Sequence, residues 1–225
     1  MWAILPAKNF NHAKKRLAPS LTPVERQALF AAMLEDVLAA ATDVDMLEGV
    51  LVLTRDEKAV ALAQTYGARV ESEPANDGQS AAVERAANIL LADGVHGVLT
   101  LPGDTPNVSA SEIKTILQRH GDTPAMSIVP SHDGRGSNSV ILSPPNLIPF
   151  HFGHDSLTPH LTEAGAQNIT PNIIDDLPGI ALDIDTPADL AALLDTPNQT
   201  RARAYLNESG IAARFEVETG RAGAA

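Results

Sequence analysis

The chain has 225 residues, a formal net charge of −12, 44% hydrophobic and 20% charged residues, the make-up expected of one globular domain with ample apolar material for a core. It contains no cysteine, which excludes disulfides, thiolate metal sites and a cysteine nucleophile, and its acidic balance excludes a broad nucleic-acid-binding face. No apolar run is long enough to span a bilayer, and the start "MWAILPAKNF" lacks the basic region and cleavage-like site of a secretory signal, so a cytoplasmic protein with no membrane partner is expected.

In chain order, "WAILPA" (2–7) reads as a first strand, followed by the basic stretch holding Lys8, Lys14, Lys15 and Arg16. A capping box, Ser/Thr-x-x-Glu/Gln, satisfies two orphan amides at a helix start. The first, "TPVE" (Thr22–Glu25), opens a helix in which Leu29, Met33 and Val37 recur every fourth residue. Strand-length runs "GVLVLT" (49–54), "ARVES" (68–72) and "GVLTLP" (97–102) then alternate with helices, the boxes "TRDE" (Thr54–Glu57) and "SASE" (Ser109–Glu112) marking two helix starts. "GVLVLT" and "GVLTLP" are apolar throughout, as in parallel strands covered on both faces.

Further strands are expected at "AMSIVP" (125–130), "SNSVILS" (137–143) and "GIALDID" (179–185), with helices opened by "TPAD" (Thr186–Asp189) and "TPNQ" (Thr196–Gln199). Right-handed crossovers turn this order into an α/β, three-layer Rossmann-like sandwich around a mostly parallel central sheet. The irregular segment 131–178 is expected over one edge of that sheet, with a helix at about 155–165, and the apolar faces within 137–150 suit a homodimer. A single domain over residues 1–210 and a flexible C-terminal tail over 211–225, ending in "FEVETGRAGAA", complete the reading.

Ligands of open α/β sheets collect beyond the carboxyl ends of the strands, and four polar clusters fall there. Lys8, Lys14 and Arg16 follow the first strand without the glycine pattern of a P-loop or dinucleotide fold. They suit either a polyphosphate or a solvated basic patch. Asp104, in "LTLPGDTPNV", is either an Asx-turn residue or a metal ligand. Asp183 and Asp185 would share one face of a strand, where two carboxylates repel unless a cation lies between them, and Mg²⁺ takes such oxygens together with substrate phosphates. In "DGRGSNS" (133–139), glycines beside Ser137 would let backbone amides converge on an anion, and Gly153 and Ser156 precede a helix start. His151, His154 and His160 match no zinc spacing and read as packing or substrate-contacting side chains.

Together these residues resemble a known family. "ILPAK…AKKRLAP", "SEPANDGQSAAVERA", "LPGDTP", "GRGSNSVIL", "FGHDSLTPH" and "LDIDTPADL" occur in the order and spacing of the guanylyltransferases of deazaflavin coenzyme F-420 biosynthesis, over roughly residues 1–195. The resemblance implies a nucleotide-diphospho-sugar transferase type of fold, shared with MobA-like nucleotidyltransferases. It also implies Mg²⁺-dependent joining of GTP to 2-phospho-L-lactate, phosphoenolpyruvate or 3-phospho-D-glycerate, with release of pyrophosphate. It assigns Lys8, Lys14 and Arg16 to the nucleotide phosphates, Gly78 to the loop beside guanine, Asp104, Asp183 and Asp185 to the metal, and Ser137, Gly153 and Ser156 to the phosphoacid. Lys14, Arg16 and Asp104 carry the catalytic roles. Departures from the family pattern fall at Gln79-Ser80, Thr105 and Ser137, the first of which bears on base recognition.

Two rival readings stand beside it. A glycosyltransferase of related fold would use "DID" as its metal-binding Asp-x-Asp and release a nucleoside diphosphate. A catalytically silent nucleotide-binding protein would show no metal-dependent turnover. A phosphatase with an aspartate nucleophile after the first strand is excluded, since residues 2–16 contain no aspartate.

Overall fold

The computed structural model describes residues 1–7, 9–10, 13–72 and 78–219, with side chains to residue 215. Among them a seven-stranded sheet runs in the order β3-β2-β1-β4-β6-β5-β7, from β1 (Trp2–Pro6), β2 (Gly49–Leu53), β3 (Arg69–Glu71), β4 (Val98–Thr100), β5 (Ala125–Pro130), β6 (Ser137–Ser143) and β7 (Asn172–Ile173). β1 lies parallel to β2 and β4, and β2 to β3, while β6 is inserted antiparallel between β4 and β5. Ile4 sits opposite Leu51 on one side and Thr100 on the other.

Both sheet faces are buried, and the alternation shows it. Ala3, Leu5, Val50, Val52 and Leu99 enter one apolar layer, with α1 (Pro23–Thr42) and α4 (Ala110–Arg119). Ile4, Leu51, Leu53 and Val98 enter the other, with α3 (Gln79–Ala92) and α5 (Leu157–Ala166). The result is the expected three-layer sandwich, held by burial that stabilises each large aliphatic side chain by about 1.5–3 kcal/mol.

Three capping boxes form as read, at Thr22–Glu25, Ser109–Glu112 and Thr186–Asp189, the last opening α7 (Pro187–Asp195). Two do not. α2 (Glu57–Thr65) is capped by Asp56, whose carboxylate accepts from the Lys58 and Ala59 amides, while the Thr54 hydroxyl accepts from the Asp56 amide instead. α8 (Arg201–Glu208) is capped by Thr200, so the "TPNQ" box is passed over.

Other expectations are corrected. "GIALDID" is not a strand: Pro178–Ala181 forms a short helix, α6, and residues 182–185 join no sheet. Their backbone bonds go to loops instead, the Ile184 amide to the Asp104 carbonyl (3.0 Å) and the Ala181 carbonyl to the His132 amide (2.8 Å). The segment 131–178 lies at an edge only in part, since β7 is the edge strand while β6 is interior. Val140, Ile141, Leu142, Ile148 and Phe150 are all buried within the chain, so the apolar face assigned to a homodimer is spent in the core. Residues 211–219, read as part of the flexible tail, form α9 (Ile211–Thr219), with Ile211, Ala212 and Phe215 buried in the first apolar layer. Residues 220–225 lie outside the described residues.

Asp36, buried in α1, accepts from the Arg201 and Ala202 amides (both 2.9 Å) and so joins α1 to the start of α8. Burial raises its carboxyl pKa, against the pull of those two amides. Asp36→Ala leaves both amides without this acceptor and is expected to cost about 2–3 kcal/mol of stability in urea unfolding, Asp36→Asn less. An unchanged midpoint for Asp36→Ala would show that the two helices dock without this carboxylate.

Candidate active site

The loop after β1 is fixed before it reaches the site. The Phe10 ring meets Phe30 of α1 edge-on (centroids 5.0 Å apart), and the Phe10 amide donates to the Asp56 carboxylate (2.9 Å). Leu17 is fully buried in the 3-10 turn Lys15–Leu17. Between these anchors Lys14 adopts a left-handed conformation, φ 52°, that turns its side chain inward. Only 4% of that side chain is exposed, and its ammonium bonds the Asp104 carboxylate at 2.5 Å and the Asp185 carboxylate at 2.7 Å. Burial favours the neutral amine, but the two carboxylates outweigh it, so the Lys14 pKa is raised.

Asp104 follows β4, where the Leu101 amide still bonds the Ile4 carbonyl (3.0 Å) and the Thr105 hydroxyl closes onto the Pro102 carbonyl (3.1 Å). Its own carbonyl takes the Ile184 amide, which brings the 183–185 segment alongside. Asp189 completes the arrangement, one carboxylate oxygen accepting from the amides of Asp185 (3.1 Å) and Thr186 (2.7 Å). On the other side Asn138 of β6 donates to the Ile180 and Ala181 carbonyls and to Asp183 (3.1 Å). The Asp183 pKa is raised by burial first and by the Asp104 and Asp185 carboxylates, with Asn138 opposing.

A cleft of about 640 Å³ runs from these carboxylates to Ser137, Gly153 and Ser156, and a recess of about 180 Å³ beside it is lined by Lys14, Phe30 and Gln79. Arg16 lines the cleft, 64% exposed, with its guanidinium 3.7 Å from Asp185. The fold therefore gathers Lys14, Arg16, Asp104, Ser137, Gly153, Ser156, Asp183 and Asp185 at one place. Gly78 caps α3 with φ +92°, a conformation that favours glycine, and sends Gln79 into both cavities. Lys8 lies outside the described residues, as does the loop 73–77.

The details depart from the sequence reading in three ways. Lys14, assigned to nucleotide phosphates, is spent on the carboxylates. The amides of Arg135 and Gly136, expected to converge on an anion, are taken by Asp133 (3.0 Å) and the Ser131 hydroxyl (2.7 Å). Ser80, at the departure thought to bear on the base, accepts from the Phe152 amide (2.8 Å) and ties α3 to the Gly153 loop. Sequence reasoning did not single out Asn138, His132 or Asp189. The signal for Asp189 was its own capping box, but Asn138 and His132 had none.

Among the described residues, no three carboxylates or imidazoles are arranged as a ready-made metal site. The donor set nonetheless fits a hard cation. Asp104 and Asp185 reach one positive nitrogen together, and the Asp183 carboxyl lies close enough to both for their charges to raise its pKa.

The family model described as "Guanylyl transferase CofC like" matches residues 1–223. The chain belongs to this family. Members similar to it include a phosphoenolpyruvate guanylyltransferase of Conexibacter woesei, 38% identical over 85% of this chain and 86% of its own length. A 2-phospho-L-lactate guanylyltransferase of Methanothermobacter thermautotrophicus is 32% identical over 97% and 93%. Among solved structures, a Desulfovibrio desulfuricans protein assigned to the nucleotide-diphospho-sugar transferases superposes with a TM-score of 0.77 at 15% identity, over 95% of this chain and 97% of that one. The CofC-like chain thus has the fold of the nucleotide-diphospho-sugar transferases, and its family is one of guanylyltransferases. Among its described residues no helix is long and apolar enough to cross a membrane.

Proposed function

We propose that the chain transfers a guanylyl group from GTP to a small phosphorylated three-carbon acid and releases pyrophosphate. The observation that carries this reading is the cleft itself, with three carboxylates and an ammonium at one end and two serine hydroxyls at the other. Its size suits a nucleotide with a small acid. The acid is phosphoenolpyruvate, 2-phospho-L-lactate or 3-phospho-D-glycerate, as in the names of the similar guanylyltransferases, and the reaction is a step of coenzyme F-420 assembly.

A phosphate oxygen of the acid attacks the α-phosphorus of GTP in line. The bond from that phosphorus to the β-phosphate oxygen breaks, and pyrophosphate carries away the electron pair. The protein needs no covalent nucleophile, so its residues position and neutralise. Asp104 and Asp185, with Asp183 beside them, would hold Mg²⁺, which supplies charge neutralisation between the two reacting phosphates. Lys14 bonds Asp104 and Asp185 and turns both toward one point, and Asp189 and Asn138 fix the segment that carries Asp183 and Asp185. Arg16, exposed at the rim, meets the departing phosphates. Ser137 and Ser156 hold the acid, while Gly78 and Gln79 bring the end of α3 toward the base.

Ser137→Ala is expected to raise the KM for the phosphoacid about tenfold and leave that for GTP within about twofold, the loss of one hydrogen bond to an anion. Steady-state kinetics with each substrate varied in turn checks the division of the cleft. Equal rises in both KM values would contradict it.

A further inference from the structure

Ser137 does not stand alone at its end of the cleft. His160 of α5, with no exposed surface, places Nδ1 3.0 Å from the Ser137 hydroxyl, and its Nε2 receives the His151 amide at 2.9 Å. A backbone amide can only donate, so Nε2 must present its lone pair and the ring proton of a neutral imidazole must lie on Nδ1. Burial lowers the pKa to about 4, with the Ser156 carbonyl opposing and His151 adding to the shift, so the ring is neutral at pH 7. Phe150, Phe152 and His151 pack around it with ring centroids 6.5, 5.4 and 5.9 Å away, and a flip of the ring would set Cε1–H against the His151 amide and Cδ2–H against the Ser137 hydroxyl, losing both hydrogen bonds.

An Nδ1 that carries hydrogen cannot accept one. The Ser137 oxygen therefore accepts from His160, and among the described residues no other group takes the serine's own proton. Ser156 shows the same polarity, because its oxygen accepts from the Ser137 amide at 2.8 Å. Both hydroxyls line the cleft, each oxygen accepting one hydrogen bond from within the protein.

We propose that His160 is a positioning residue that locks the Ser137 hydroxyl as a donor into the cleft. With Ser156 it forms a pair of O–H donors for ionised oxygens of the phosphoacid. The proposal rests on the reading that Ser137 faces that substrate, and it adds how a neutral hydroxyl is made to act as a dedicated anion donor. Such a pair favours groups that only accept, phosphate and carboxylate oxygens, at this point of the cleft.

The tautomer tests it independently of turnover. Long-range ¹H–¹⁵N correlation at pH 7 on the intact protein is expected to show His160 protonated at Nδ1 and not at Nε2. An Nε2–H tautomer would overturn the proposal. In kinetics His160→Leu is expected to raise the phosphoacid KM about tenfold with that for GTP unchanged. His160→Asn, whose amide nitrogen takes the place of Nδ1, is expected to recover most of that loss. Combined with Ser137→Ala, the leucine variant should add nothing, since both remove one interaction. A parallel rise in both KM values, or an additive double variant, would mean that His160 merely packs. Where the leucine variant fails to fold, the tautomer and the asparagine variant decide. If the wild-type protein turns over no phosphoacid, the proposed function fails, while the tautomer still decides the role of His160.

Discussion

Asp104→Asn is expected to reduce turnover to background while the protein stays folded. The substitution keeps the shape of the turn after β4 and the Asp104 carbonyl that takes the Ile184 amide, so the 183–185 segment stays in place. It removes the charge at the position where Lys14 and Asp185 converge. A carboxamide is a poor ligand for a hard divalent cation that must also bridge phosphates, and such charge stabilisation is commonly worth 10²–10³ or more in rate. The stability loss is expected to stay near 1 kcal/mol, since the Lys14 ammonium keeps Asp185. Acid-dependent turnover at saturating Mg²⁺ and a melting temperature measured side by side check this. Full activity in the folded variant would remove Asp104 from the reaction.

Lys14→Met gives the second large effect, and its sign differs between activity and metal binding. Without the ammonium, Asp104, Asp183 and Asp185 repel one another, with Arg16 3.7 Å from Asp185 and His132 3.9 Å from Asp183, and the carboxylates lose the group that aims them. Turnover is expected to fall at least about 100-fold. Mg²⁺ no longer competes with the ammonium for Asp104 and Asp185, so it should raise the melting temperature more than it does in the wild type. Lys14→Arg is not expected to rescue turnover, because a side chain only 4% exposed has no room for a planar fork with five donors. A methionine variant with nearly normal turnover would show that the ammonium is a structural pair alone, and an unchanged Mg²⁺ response would show that the metal does not meet Asp104 and Asp185.

How much of this lay open in the sequence depended on how local the cause was. "GVLVLT" and "GVLTLP" announced themselves because strands buried on both faces must be apolar throughout, and Val50 and Leu51 do face opposite layers. Thr22, Ser109 and Thr186 were legible as caps because a capping box closes within four residues. Thr54 was not, since Asp56 two positions later offers a better acceptor to the same helix end. "GIALDID" reads as a strand, but Ile180 and Ile184 are buried from a short helix and a loop, and the backbone around them bonds His132, Asp104 and the Asn138 side chain rather than the ladder of a neighbouring strand. The charges around Phe215 hid a ring that docks in the core.

The site divides the same way. Its residue types were readable because several carboxylates and serines gather after strand ends, where ligands of open α/β sheets collect, but their partners lie far off in sequence. Lys14 meets Asp104 across 90 positions and Asp185 across 171, so the sequence suggested a free phosphate-binding cation where the fold makes a buried ion pair. His160 read as a packing or substrate-contacting histidine because only the fold sets Ser137 against one nitrogen and the His151 amide against the other.

The central claim is guanylyl transfer itself, and pyrophosphate release tests it most directly. The protein is incubated with Mg²⁺, one of GTP, ATP or CTP, and phosphoenolpyruvate, 2-phospho-L-lactate or 3-phospho-D-glycerate in turn. Guanylyl transfer predicts pyrophosphate only when GTP and a phosphoacid are both present, together with a product carrying GMP on the acid's phosphate. Release of GDP in place of pyrophosphate, or no release with any pair, would contradict it.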